Sequence, residues 1–269
     1  MIPEAIIFGL FGLVVGSFLN VAILRHGARS LGGRSGCMAC GAQLRWYDMI
    51  PVVSWGILRG RCRACHAWIS YQYPLVEAST AILFAIIGFA PLHIIFKLFS
   101  LAIISLLVMI TVYDMRHTII PDEWAYSFAV LALALSFASI PPGTDTMQII
   151  LLLLAGPIAA LPLFALWAIS GGRWMGLGDP KLALGIGWLL DVPLGPYAIF
   201  FAFVIGALVS IFILLPLGYV RSKHGITHLG APGRRFTMES EVPFGPFLVA
   251  SCVLVWYASM FGLPLPLFI

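Results

Sequence analysis

The sequence predicts an all-α polytopic membrane protein of about eight transmembrane helices with a small cytoplasmic zinc-binding loop domain, and three observations predict it. A chain of 269 residues that is 61% hydrophobic and 10% charged, with a mean hydropathy of +1.03, has too little polar surface to cover a water-soluble globule. Its apolar residues gather in runs that match the roughly 20 residues a helix needs to cross ~30 Å of hydrocarbon, where only structures that satisfy their own backbone hydrogen bonds are tolerated. Four of its five cysteines fall in one polar stretch, residues 25 to 73. The net charge of +4 is no argument for a nucleic-acid partner, because topology accounts for the basic residues. The bilayer is the expected partner and nucleic acid is not.

Apolar runs place helices near residues 2 to 24, 74 to 90, 93 to 113, 123 to 140, 147 to 168, 180 to 194, 197 to 219 and 244 to 263. The first carries Glu4, lacks a basic n-region and runs into Arg25 without a small-residue cleavage site, so it is expected to stay in the mature protein. Three parts follow: a first transmembrane helix over 1–24, a cytoplasmic loop domain over 25–73, and a membrane-embedded core over 74–269. With eight spans, Arg25, Arg29, Arg34, Arg45, Arg59, Arg61 and Arg63, then Arg116, Arg173 and Lys181, then Arg221, Lys223, Arg234 and Arg235 share one side, and only Lys97 falls on the other. Positive residues near helix ends stay cytoplasmic, so that side is the cytoplasm and both termini lie outside it. A span count wrong by one would move every later loop across and destroy the asymmetry.

Cys37-Met-Ala-Cys40 and Cys62-Arg-Ala-Cys65 are two C-x-x-C knuckles about twenty residues apart, the spacing by which two tight turns bring four thiolates round a tetrahedral Zn²⁺. Two disulfides compete with that reading, but a cytoplasmic loop is in a reducing compartment. Four protein ligands leave no open position for water, so such a zinc holds the loop together and performs no chemistry. His66 is a spare ligand, and Cys252 is read as a small buried apolar residue.

Acids at membrane depth each need a reason. Glu4, Asp145 and Asp191 fall at non-cytoplasmic ends, and Glu239 and Glu241 in a polar loop, all within reach of water. Asp114 instead closes a long run without an acid, at the cytoplasmic mouth of the third helix. Asp179 follows Met175-Gly-Leu-Gly178 at the cytoplasmic start of the sixth. Two carboxyls brought together there hold one proton between them, so that one deprotonates a water while the other protonates the scissile carbonyl. Amide hydrolysis then needs neither a catalytic metal nor a covalent intermediate. Gly176 and Gly178 leave bare backbone beside the acid, where a peptide strand can approach. The competing reading of Asp179-Pro180 is a helix N-cap with proline at N1. Asp122 and Glu123 read as first-turn partners of a helix dipole. Glu77 pairs with an arginine of the cysteine loop or acts in function, and the first reading is preferred. The glycines from 171 to 178 lack the spacing of a phosphate loop, and His224 and His228 lack the glutamate of H-E-x-x-H; both are read as turn or solvated loop.

With those residues in view, the chain closely resembles the bacterial type IV prepilin peptidases, membrane aspartyl proteases of the GxGD type that also methylate the new N-terminus. The resemblance runs through Gly16-Ser-Phe-Leu-Asn-Val21, Ile50-Pro-Val-Val-Ser-Trp55, Leu58-Arg-Gly-Arg-Cys62-Arg, Ile69-Ser, Tyr73-Pro-Leu-Val-Glu77, Asp114 with Ile120-Pro-Asp122, Gly176-Leu-Gly178-Asp179 with Lys181, and Pro243-Phe-Gly-Pro-Phe247. Met38, where the family often has proline, and Pro180, where it has a helix former, are departures that remove neither a ligand nor an acid. The resemblance implies that Asp114 and Asp179 are the catalytic pair. It implies prepilins or type II secretion pseudopilins as substrates, cut at the cytoplasmic face of the bacterial inner membrane between a short basic leader and a hydrophobic helix. S-adenosylmethionine as methyl donor rests on the resemblance alone, and some relatives of this fold are peptidases only. An ion-coupled transporter would need acids near the midplane and internal symmetry, which the sequence lacks. A membrane scaffold with a zinc-held docking loop would leave both aspartates unexplained.

Overall fold

A computed structural model describes residues 2–27, 32–214 and 242–264. Among these the chain is helical, with isolated β-bridges only at Gly36–Gln43 and Arg61–Trp68. The helices are α1 (Ile2–Arg25), the short α2 (Val53–Ile57), α3 (Gln72–Phe89), α4 (Ile94–His117), α5 (Asp122–Ala138), α6 (Thr146–Ser170), α7 (Gly178–Leu190), α8 (Leu194–Val209, continued by a π-helical turn over Ser210–Leu214) and α9 (Gly245–Met260).

Among the described residues a helix falls at each of the eight expected positions, and five are long and apolar enough to cross a membrane: α1, α3, α4, α6 and Leu194–Ile213. The helical architecture is as expected, with five helices of spanning length among the described residues where eight were expected. The 17-residue α5, 13-residue α7 and 16-residue α9 fall below the ~20 residues a crossing takes. The outward faces of the long helices are fit for lipid, as on α1, where Ile6, Ile7, Leu10, Phe11, Val14 and Phe18 are all exposed. Of the expected cytoplasmic positions, Arg29, Arg221, Lys223, Arg234 and Arg235 lie outside the described residues, as do His224, His228, Glu239 and Glu241.

The chain divides into two compact units, Met1–Val112 and Tyr113–Ile269. In the first, α1 and α3 pack along their length because small residues let the backbones meet. A Cβ on Gly12 would lie 2.7 Å from Ala81 Cα, one on Gly16 2.7 Å from Glu77 Cα, and one on Gly88 2.8 Å from Ala5 Cα. Lys97 is buried on α4 and donates to Glu4 Oε2 at 2.5 Å and to the Gly88 carbonyl at 3.0 Å, joining three helices.

In the second unit α7 packs against α5, α6, α8 and α9, and more than half of its residues are buried. Glycine again sets the approach. A Cβ on Gly187 would fall 2.3 Å from the Ala155 carbonyl, and one on Gly185 2.5 Å from the Phe128 ring. Pro157 and Pro162 sit inside α6 without ending it, and Gly171 closes that helix in the left-handed conformation.

Candidate active site

The polar stretch between α1 and α3 forms a lobe whose two knuckles superpose the same turn. Cys37 N–H donates to the Ala42 carbonyl and Cys62 N–H to the Ala67 carbonyl, both at 2.9 Å, and the N–H groups of Gly41 and His66 return to the carbonyls of Cys37 and Cys62. The four sulfurs of Cys37, Cys40, Cys62 and Cys65 converge within 4.8 Å of one another, with Cys37 and Cys65 Sγ at 3.8 Å. Four thiolates at a Zn–S distance of ~2.3 Å lie about 3.8 Å apart, so the cluster fits a tetrahedral metal ion. Backbone N–H groups of Cys40 and Ala39 hold the Cys37 thiol down to about 6, whereas Cys65, despite the Ala67 N–H, is pushed up to about 11 by the neighbouring thiols. All five cysteines are free of disulfides. Among residues 32–71 only Gly60 and Cys62 are buried, so the lobe has almost no apolar core of its own.

Glu77 joins the lobe to the helices, though not through an arginine. Its buried carboxylate accepts the Val52 N–H at 2.7 Å, and Val52 takes φ +60, a conformation that costs a β-branched residue free energy and persists because a partner fixes it. A backbone donor satisfies a buried carboxylate at less desolvation cost than a guanidinium drawn out of water. Nearby Asn20, 1% exposed, donates to the carbonyls of Gly16 and Tyr73 and accepts from Gln72 Nε2 at 3.4 Å. Apart from Gly16, one turn before Asn20, these partners are 25 to 53 residues apart along the chain, and nothing in the local sequence gives them.

The second unit places both predicted aspartates in one neighbourhood. Helix α4 continues beyond the expected end at 113, which puts Asp114 inside its final turn; Thr118 N–H closes onto the Asp114 carbonyl at 2.8 Å, and Thr118 stops the helix at φ +53. The Asp114 side chain is 4% exposed and Oδ2 accepts the N–H of Gly245 at 3.1 Å. Gly245 is the first residue of α9, so the carboxylate meets a free N–H at the positive end of a helix dipole. A Cβ on Gly245 would lie 2.6 Å from that oxygen.

Asp179, 8% exposed, sits in the first turn of α7, its carboxyl facing the Gly176 N–H and close enough to Asp114 for the two charges to act on each other. It is not an N-cap: Leu177 holds that place and makes no side-chain cap bond. Pro180 in the same turn costs nothing, since its missing N–H would have had no intrahelical acceptor. The two glycines before the aspartate part company. Gly178 is filled from within the protein, since a Cβ there would stand 2.9 Å from Ile120 Cβ, whereas one at Gly176 would meet only the Gly178 nitrogen at 3.9 Å. Of the pair read as making room for a peptide, Gly176 alone faces open space among the described residues. Ile120 also reaches within 3.3 Å of the position of a Cβ on Gly245, so one buried isoleucine lies against the start of α7, which carries Asp179, and the start of α9, whose first N–H holds Asp114. Its part is invisible to a search for chemistry-bearing residues.

Asp122 and Glu123 lie in the first turn of α5 as expected, and Asp122 also pairs with Lys181 at 2.6 Å, with Lys181 Nζ 5.5 Å above the Tyr126 ring. Two secluded carboxyls, one held by a backbone donor, with an open glycine beside the other, form a site suited to moving protons on and off a water and a carbonyl.

Residues 10–90 match the family profile described as the bacterial peptidase A24 N-terminal domain, and residues 101–211 match the type IV leader peptidase family. The prepilin leader peptidase/N-methyltransferase of Myxococcus xanthus (strain DK1622) is 35% identical over 268 residues, covering 93% of this chain and 78% of that protein. Proteins of the same description from Bacillus subtilis (strain 168) and Dichelobacter nodosus are 30% and 28% identical, covering 92% and 97% of this chain and 91% and 93% of theirs. No solved structure gives a significant match. From the knuckle lobe to the paired aspartates, this chain belongs to the type IV leader peptidase family.

Proposed function

We propose that this protein is a prepilin peptidase of the bacterial inner membrane, which removes the basic leader of type IV prepilins or type II secretion pseudopilins and then methylates the new N-terminus. The observation that carries the proteolytic part is the convergence of Asp114 and Asp179, both below one-tenth exposed, around Ile120. Asp114, already an acceptor of the Gly245 N–H, is the base toward a water, and Asp179 is the acid toward the scissile carbonyl. As the C–N bond breaks, Asp114 passes the proton it took from the water to the leaving amine and Asp179 recovers a proton from a hydroxyl of the tetrahedral diol, so the pair ends as it began. The substrate's apolar helix stays in the bilayer while its polar leader reaches the cytoplasmic mouth where both acids lie.

The eight apolar helices all cross the bilayer, in part through neighbours that cover the short ones, with the lobe and the aspartates on the cytoplasmic side, as the distribution of lysines and arginines supports. Cys37, Cys40, Cys62 and Cys65 hold a structural Zn²⁺. S-adenosylmethionine supplies the methyl group; the description shared by the relatives supports this part.

The test is cleavage of a prepilin by the membrane-embedded protein, with and without S-adenosylmethionine, read by the mass of the product N-terminus. Asp114→Asn and Asp179→Asn should each abolish cleavage while the protein accumulates normally. Wild-type cleavage by either variant overturns the carboxylate pair, and an unmethylated product with the donor present overturns the second activity alone.

A further inference from the structure

Between α1 and α3 the chain carries six arginines against one acid, Asp48. Topology explains why such charge stays on one side of a membrane, but not how the folded lobe arranges it. Beside the second knuckle lies a cavity of about 590 Å³ lined by Ile57, Arg59, Arg61, Arg63, His66 and Trp68. All six are exposed, Ile57 and Trp68 to 72% and 68%. Arg63 is held by Asp48 at 2.9 Å and lies over the Tyr47 ring. Arg61 stacks on Trp68, with 4.6 Å from guanidinium to ring centroid. Among the described residues neither Arg59 nor Arg61 reaches a carboxylate.

Two unneutralised guanidiniums in a concavity rimmed by an isoleucine and a tryptophan form a surface with two demands. The arginines call for an anion with oxygens to share, and the exposed apolar side chains call for hydrocarbon beside that anion. A soluble phosphate meets only the first. The lobe is tethered at both ends by helices long and apolar enough to cross a bilayer, α1 ending at Arg25 and α3 beginning at Gln72, so a leaflet surface is always at hand. Tryptophan and arginine are also the side chains that favour the headgroup region.

We infer that the Arg59–Arg61–Trp68 concavity binds the phosphate of anionic lipids and docks the metal-binding lobe onto the leaflet that α1 and α3 enter. The knuckle turns shape the concavity, since Cys62 is part of its wall and Gly60, at φ +69, packs on the Trp55 ring, where a Cβ would meet it at 2.8 Å. Docking therefore depends on the metal-held fold without using the metal. An arginine near an anionic surface contributes about five-fold to partitioning, so loss of two should release the lobe.

The full-length protein in lipid nanodiscs gives the test, read as amide hydrogen exchange over residues 55–70. With phosphatidylglycerol present, exchange should be several-fold slower than in phosphatidylcholine alone, and added salt should reverse the difference. The double variant Arg59→Gln/Arg61→Gln should exchange at the fast rate in both lipids while retaining its metal content, which separates lost docking from lost folding. Equal exchange of the wild type in the two lipids, or protection that survives in the double variant, overturns the proposal. Inorganic phosphate that protects the lobe equally well in phosphatidylcholine discs also overturns it, in favour of a soluble ligand. None of these readouts depends on peptide cleavage.

Discussion

Gly178 and Gly176 differ by what lies against them, and the difference is measurable. Gly178→Ala drives a methyl into Ile120, an overpacking that costs ~1–3 kcal/mol and shifts the start of α7, where Asp179 sits. We expect it to lower kcat at least tenfold, and Ile120→Val, which removes a methyl nearby, to restore part of that loss in a double-mutant cycle. Gly176→Ala has space for its Cβ and should leave thermal stability unchanged, acting on KM if a substrate strand passes there. At Gly245 an added methyl meets Asp114 Oδ2 itself, so Gly245→Ala should cost activity far more than it costs folding. The pair also sets a pH dependence. One shared proton means that acid, which protonates both carboxyls, removes the base, and alkali, which ionises both, removes the acid. A pH profile of kcat should be bell-shaped, and a single sigmoid would show that only one carboxyl titrates in catalysis.

Elements meet here through small residues, and that determines which substitutions a helix pair tolerates. Gly187→Ala places a methyl 2.3 Å from the Ala155 carbonyl and so forces α6 and α7 apart. It should lower the melting temperature in detergent and reduce activity with it, because α7 carries Asp179. The Lys181–Asp122 pair joins α7 to α5, but Asp122 is 61% exposed, so water screens it and its stabilisation is ~0–1 kcal/mol. Asp122→Asn should therefore keep the protein folded and lower cleavage by less than tenfold, far short of the loss expected at Asp114. Parity between the two would mean that Asp122 touches the reaction.

At the scale of the molecule, the lobe over residues 32–71 is the part least able to hold itself together, with two buried residues and four converging sulfurs. Chelation, or Cys40→Ser, should open it to limited proteolysis between residues 32 and 71 while the membrane helices resist, and cleavage that stays unchanged would show that no metal holds it. Much of this protein was legible in the chain. Hydropathy placed the eight apolar helices, because lipid admits little besides a long apolar helix, and knuckle spacing named the four sulfurs, because two tight turns leave few ways to arrange them. The aspartates stood out because an acid at membrane depth needs a reason. Those signals are local, carried by a residue's own type and near neighbours. The tertiary structure alone decided that α7 is enclosed by four other helices, that Glu77 takes a backbone N–H instead of an arginine, that Asp179 is no cap, and that Ile120 lies against the starts of both α7 and α9. Each of these is a contact between segments distant along the chain, fixed by the room that packed helices leave one another, and no local pattern encodes that room.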